Sequence, residues 1–334
     1  MIPNSDFIKC VNKIKNGPQV LEKLSIIYDK PIVFKKEKSV FYYEPEIKKF
    51  DHIAAFDLDW TITYNEKHLF AKEADDIKII PNRRKKLEDI LKLGYTVVIF
   101  TNQFAKSKVE KQRKVDRITK FIKELKLPIF VYISTEKDSY RKPDIDMWNL
   151  FLKSRTVKNV IFVGDALGRP QDFADSDKVF AERIKANKIY SPESFFGSAP
   201  IPDFKKYKEL VVLVGMPGSG KNTYCKHYLP DHINIEQDIL KTRKNVLQYL
   251  DKSLKTGNSI VINATNPIQE NRLEYYTKAI KHDYSIKVLY FLINGTGFNK
   301  VRNKPVPSVI YHMYFKKLEP PTNQNTPGEV FYVY

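Results

Sequence analysis

Cysteine is nearly absent from this chain: only Cys10 and Cys225 occur among 334 residues, far apart and with no His or Cys beside them. That excludes a disulfide framework and a zinc cluster, and makes both thiols small buried hydrophobes. Long apolar runs are missing too, since no uncharged stretch approaches the roughly 20 residues a membrane helix needs. The start, Met1-Ile2-Pro3-Asn4-Ser5-Asp6, has no basic-then-apolar layout of a signal peptide. A soluble, intracellular protein with no membrane partner is expected. Acidic residues are in short supply, 39 Asp and Glu against 57 Lys and Arg, which leaves a formal net charge of +18. Such an excess reflects either a polyanionic partner or the lysine inflation of an AT-rich genome. Its uneven placement favours the partner: Arg83-Arg84-Lys85-Lys86 form one run, and Lys108, Lys111, Arg113, Lys114 and Arg117 crowd one predicted helix.

With 42% hydrophobic residues along its length, the chain can bury two cores. Strand and helix signals alternate in the first half, with strands at 53–56, 96–100, 129–133 and 160–163 and helices at 84–93, 105–125 and 147–152. Pro192, Gly197, Pro200 and Pro202 then interrupt the pattern. A second cycle has strands at 210–214, around Ile233, at 259–262 and at 286–292, with helices from Asn222, at 239–254 and at 269–280. The fold class expected is α/β with two parallel-sheet domains. Residues 1–40 form an extension, 41–195 the first domain, 196–208 a linker and 209–334 the second domain.

Two groups of residues carry chemistry. In Phe56-Asp57-Leu58-Asp59, two carboxylates leave a strand end, Asp57 placed to attack phosphorus and Asp59 to pass a proton to and from the leaving oxygen. Thr101 follows the next strand in Phe-Thr-Asn-Gln, Lys142 stands in Arg-Lys-Pro, and Asp165 ends a third strand, with Asp177 further on. Thr101 can hold phosphate oxygens, and Lys142 can neutralise the attacking carboxylate and the phosphate. Asp57, Asp165 and a carbonyl near Asp59 make a hard oxygen site suited to Mg2+. In the second half, Gly215-Met216-Pro217-Gly218-Ser219-Gly220-Lys221-Asn222 lies between a strand and a helix, as an ATP-binding P-loop requires. Its amides cradle phosphate and Lys221 reaches the β and γ oxygens. The usual metal-binding hydroxyl is replaced by Asn222, whose amide oxygen can still touch the ion or its water, while Thr223 comes one residue late. Asp238 is suited either to take the proton of an attacking hydroxyl or to cap a helix.

The order Asp-X-Asp-X-Thr, Thr, Lys and a final acidic motif resembles the haloacid dehalogenase superfamily of phosphotransferases. With the downstream P-loop, the whole resembles the eukaryotic-type polynucleotide 3'-phosphatase/5'-kinase family. The motifs are Phe-Asp-Leu-Asp, Phe-Thr-Asn-Gln, Arg-Lys-Pro with Met147-Trp148, Val-Gly-Asp-Ala-Leu-Gly-Arg, Asp172-Phe173 and Ser194-Phe195-Phe196. Gly-X-Pro-Gly-X-Gly-Lys, Ala-Thr-Asn-Pro and the segment from Tyr311 to Pro320 continue the series. The resemblance implies phosphoaspartate formation on Asp57, acid and base catalysis by Asp59, and a kinase lid in which Arg302 reaches the γ-phosphate. It implies DNA or RNA strand ends as substrate, Mg2+ and ATP as cofactors, a ligase acting next, and a monomer in the nucleus, or in the cytoplasm if the source is viral. Residues 1–40 do not resemble a forkhead-associated module. The family usually has Gly at Trp60, Ser at Asn222, and Asp-Asn at Asn263-Ala264. Trp60 is expected instead to offer a face for a terminal base. Two other readings compete: a basic nucleic-acid scaffold with a degenerate kinase half, and a metabolite phosphatase fused to a metabolite kinase. The intact first-half motifs oppose the former and the net charge opposes the latter.

Overall fold

The computed structural model describes residues 31–47, 51–71, 73–153, 155–301 and 305–334. Arg302 and most of the N-terminal extension lie outside these residues. The chain divides into two compact units, the first running to Gly197 except for Glu66–Phe70, which group with the second, Ser198–Tyr334. No helix among the described residues is long and apolar enough to cross a membrane.

In the first unit the strands are β1 (Lys35–Glu37), β2 (Val40–Tyr43), β3 (His52–Phe56), β4 (Thr63–Tyr64), β5 (Lys78–Ile79), β6 (Tyr95–Asn102), β7 (Phe130–Ser134), β8 (Asn159–Val163) and β9 (Lys188–Tyr190). Its helices are α1 (Arg83–Lys92), α2 (Lys108–Leu125), α3 (Asp146–Leu152), α4 (Ser176–Arg183) and α5 (Pro192–Phe196). Seven strands make one sheet in the order β1-β2-β7-β6-β3-β8-β9, parallel from β7 to β9. The central strands are buried on both faces because Ala54, Phe56, Val97 and Ile99 enter one core while Ile53, Ala55, Val98 and Phe100 enter the other. Helix α2 starts at a capping box, with the Ser107 hydroxyl accepting from Glu110 N.

Two boundaries differ from the sequence reading. The first sheet begins at Lys35, inside the expected extension, because β2 pairs antiparallel with β7 and draws β1 onto its edge. Phe196, expected in the linker, ends α5 and is 5% exposed, packed with Phe195 against Phe56. The Ser191 hydroxyl caps α5, with Pro192 at its first turn.

In the second unit the strands are β10 (Glu209–Val214), β11 (Ile233–Glu236), β12 (Ile260–Asn263), β13 (Ser285–Phe291) and β14 (Glu329–Val333). The helices are α6 (Lys221–Tyr228), α7 (Gln237–Leu240), α8 (Arg243–Leu254), α9 (Gln269–Ile280), α10 (Gly295–Phe298) and α11 (Ser308–Lys317). The five strands are all parallel, in the order β11-β12-β10-β13-β14. The helix expected over 239–254 is two helices. Lys241 takes a left-handed φ of 69°, and the Thr242 hydroxyl accepts from Asn245 N to begin α8 afresh.

Candidate active sites

Both sites sit where parallel strands end, the usual place for ligands in α/β sheets. In the first unit β3 delivers Asp57, β6 delivers Thr101 and β8 delivers Asp165. Lys142 arrives from the loop after β7 and is clasped there: Asn102 Nδ2 donates to Lys142 O and Lys142 N donates to Asn102 Oδ1, each at 3.0 Å. Its Nζ is buried and donates to Asp57 Oδ1 and Asp177 Oδ1, both at 2.6 Å. Gly164 permits that approach, since a Cβ there would lie 2.4 Å from the Asp177 carboxylate.

Asp57, Asp165 and Asp177 each bring a carboxylate oxygen within 4.8 Å of the others. Asp177 thus joins the expected Asp57 and Asp165 as a third carboxylate, while the Asp59 carboxylate is engaged elsewhere. Burial pushes the Asp57 carboxyl up to about 7; Lys142 opposes the rise, while the Asp177 and Asp59 charges add to it. Burial also raises Asp165 well above the usual range, helped by Asp57 and Asp177 and opposed by Lys142. Three crowded oxygen donors of this kind fit a hard divalent cation, whose charge would relieve their repulsion.

Asp59 is held by Gln103 and Arg117, neither of them expected in the catalytic site. Gln103 Nε2 donates to Asp59 Oδ2 at 2.6 Å and to Thr101 Oγ1 at 2.8 Å. Arg117, only 1% exposed, donates from Nη2 to Asp59 Oδ1 at 2.6 Å and to Asn65 Oδ1 at 2.8 Å. Burial acts to raise the Asp59 carboxyl, but Arg117 and Gln103 outweigh it and hold the group below its ordinary value. The basic face of α2 is therefore two things: Lys108, Arg113 and Lys120 are exposed, whereas Arg117 belongs to the site. Trp60 is half-buried at a left-handed φ of 63°, a conformation in which a bulky side chain is strained and glycine is not.

In the second unit the P-loop follows β10 and opens α6. Gly220 caps the helix at φ 90°, and Gly218 lies so near Gly295 that a Cβ would be 2.5 Å from its carbonyl oxygen. Gly218, Ser219, Gly220, Lys221, Asn222, Thr223 and Asp238 all line one cavity of about 910 Å³. Lys221 Nζ donates to the carbonyls of Gly215 and Met216, each at 2.8 Å. Asp238 is exposed in the first turn of α7, where Glu236 and not Asp238 holds the cap position. Asn222 Nδ2 donates to Glu236 Oε1 at 3.0 Å.

An acid-led phosphoryl site at the ends of the parallel strands of one sheet and a P-loop on a second sheet define a phosphatase unit followed by a P-loop kinase unit. Residues 52–196 match the family model described as polynucleotide kinase 3 phosphatase. The chain is 30% identical to the bifunctional polynucleotide phosphatase/kinase of Schizosaccharomyces pombe, a match that covers 83% of this chain and 78% of that one. It is also 30% identical to the polynucleotide 3'-phosphatase ZDP of Arabidopsis thaliana over 44% of this chain and 24% of that one. The chain belongs to the bifunctional polynucleotide phosphatase/kinase family.

Proposed function

We propose that this protein heals broken nucleic-acid strands by removing a 3'-phosphate in its first unit and phosphorylating a 5'-hydroxyl from ATP in its second. The observation that carries the reading is Lys142, which bridges Asp57 and Asp177 at 2.6 Å beside a third carboxylate, on a chain that also bears a P-loop. Asp57 attacks phosphorus, the bond to the 3'-oxygen breaks, and that oxygen takes a proton from Asp59. Water then attacks the phosphorus of the phosphoaspartate and gives a proton back to Asp59, and the phosphorus–oxygen bond to Asp57 breaks, which releases inorganic phosphate and restores the carboxylate. Arg117 and Gln103 favour the basic form needed in the second step, while the negative charge of a bound phosphate favours the protonated form needed in the first. Lys142 and Thr101 hold the transferring oxygens.

Asp57, Asp165 and Asp177 would hold Mg2+, which supplies charge neutralisation at the phosphoryl oxygens. In the kinase half Lys221 and the loop amides bind the ATP phosphates, and Asp238 takes the proton of the attacking 5'-hydroxyl. Ends bearing 3'-hydroxyl and 5'-phosphate result, which a ligase can join.

The test is a nicked DNA duplex with 3'-phosphate and 5'-hydroxyl, incubated with Mg2+ and γ-labelled ATP. Phosphate release and 5' labelling are both expected, and chelation of the metal should reduce each by at least about 100-fold until Mg2+ is restored. Label absent from the 5' end would remove the kinase from the reading.

Trp60 supports nucleic-acid recognition, because strain of about 1 to 3 kcal/mol at a half-exposed position beside Asp59 calls for an offsetting contact. Its ring stacks on the base of the nucleotide whose sugar carries the 3'-phosphate. Trp60→Gly is expected to raise the unfolding midpoint slightly while weakening single-stranded DNA binding by about tenfold. Unchanged binding would end the stacking assignment.

A further inference from the structure

P-loop enzymes hold the divalent cation of their nucleotide with a loop hydroxyl and an acid at the end of a nearby strand. Neither stands in the usual place here, where Asn222 occupies the hydroxyl position and Asn263 the position of an acid. A carboxylate is nevertheless present one strand away. Glu236 is the register partner of Asn263 in the parallel pairing of β11 with β12, so the two side chains leave the sheet on the same face. Asn222 Nδ2 donates to Glu236 Oε1 at 3.0 Å. A carboxylate only accepts, so this bond fixes the amide orientation and leaves Asn222 Oδ1 as an acceptor.

Asn263 gives an independent sign of a ligand. It is 3% exposed, it lines the same cavity as the P-loop, and its Nδ2 has no hydrogen-bond partner among the described residues. The loop that follows it is braced: Asn266 Nδ2 donates to Leu213 O at 2.7 Å, and Arg272 donates to the carbonyls of Asn266 and Pro267, each at 2.9 Å. An amide nitrogen buried this way needs an acceptor. Water on a cation turns its hydrogens outward and offers none, whereas a phosphate oxygen does.

We infer that the acid of the kinase cation site has moved from position 263 to its neighbour across the sheet, so that Glu236, braced by Asn222, holds the divalent cation of ATP while Asn263 donates to a phosphate oxygen. This rests on the kinase reading above. The charge of the site is conserved by the exchange, although each position taken alone looks degenerate.

The test is calorimetric binding of ATP to the full chain with and without Mg2+, which needs no turnover. Wild type is expected to bind ATP more tightly with the metal. Glu236→Gln should lose that metal-dependent gain by at least about tenfold, and because a negative charge beside the anionic nucleotide is removed, its metal-free ATP binding should be no weaker than that of wild type. Asn263→Ala should weaken ATP roughly tenfold in both conditions. The exchange of Glu236→Asn with Asn263→Asp should recover a metal-dependent gain that Glu236→Gln lacks. A Glu236→Gln protein that keeps the full gain overturns the assignment of the acid, and unaltered ATP affinity in Asn263→Ala overturns that of the donor. Wild type that binds ATP with no effect of Mg2+ overturns this inference alone, whereas wild type that binds no ATP overturns the kinase reading.

Discussion

Asp57→Asn is expected to lower 3'-phosphate release by about 10,000-fold or more, because no other carboxylate replaces the attacking oxygen. Transfer from ATP to 5'-hydroxyl ends by the same preparation should persist, since that reaction uses the other unit. A loss through unfolding can be separated from a loss of chemistry by the pH dependence of stability. The Asp57 carboxyl is raised by burial to about 7, so its ionised form weakens the metal-free folded state as pH climbs from the unfolded value near about 4 through 7. Asn removes that charge. The metal-free variant should therefore melt above the parent at pH 8, with the difference shrinking toward pH 5. A variant that melts below the parent at pH 8, or that still releases phosphate at the parent rate, would remove Asp57 from its place as buried nucleophile.

The residues that sequence alone made legible are those whose chemistry is local. Asp57, Thr101 and Asp165 follow apolar runs that end where strands of the first sheet end, and the P-loop carries its own glycine spacing. Residues defined by tertiary partners were not legible. Gln103 lies inside a motif that was read for Thr101, and Asp177 gains its meaning only when Gly164 lets its carboxylate close on Lys142. Arg117 was read with its basic neighbours as a nucleic-acid face. Its helical spacing held the missing signal: Arg117 and Phe121 lie four residues apart on the stripe that buries Ile118 and Leu125, and a cation on an apolar stripe has a partner in the core. The break at Lys241 was also written locally, in Thr242 as the cap before Asn245, but the apolar period ran on through it. Glu236 needed the register of two parallel strands, which only the folded sheet supplies.

Arg117→Met should be the most damaging substitution on a residue that does not carry out the reaction itself. The parent guanidinium is buried, with Nε donating to Asp76 O at 3.1 Å and Nη2 shared between Asp59 and Asn65. Methionine fills part of the volume but leaves the Asp59 carboxylate without its cation, which costs about 2 to 4 kcal/mol. The sign of the pH dependence follows from Asp59 being held below its ordinary value. Stability from the pair is present above the unfolded pKa and is lost as pH falls through the folded one, so the deficit of the variant should be full at neutral pH and shrink in acid to the part owed to the lost bonds to Asn65 and the Asp76 carbonyl. Catalysis should suffer in a matching way. With burial opposed only by Gln103 and Lys114, Asp59 becomes a weaker acid, the base form needed to accept the proton of water is scarcer, and the acidic limb of the phosphatase profile moves to higher pH with a loss of about 100-fold at its optimum. Arg117→Lys keeps the charge but not the fork that reaches Asn65 and the Asp76 carbonyl, so it should fall between parent and Met in both stability and rate. If Lys behaves as Met does while the acidic limb stays where the parent has it, Arg117 is a core side chain alone and Asp59 owes its low pKa to Gln103.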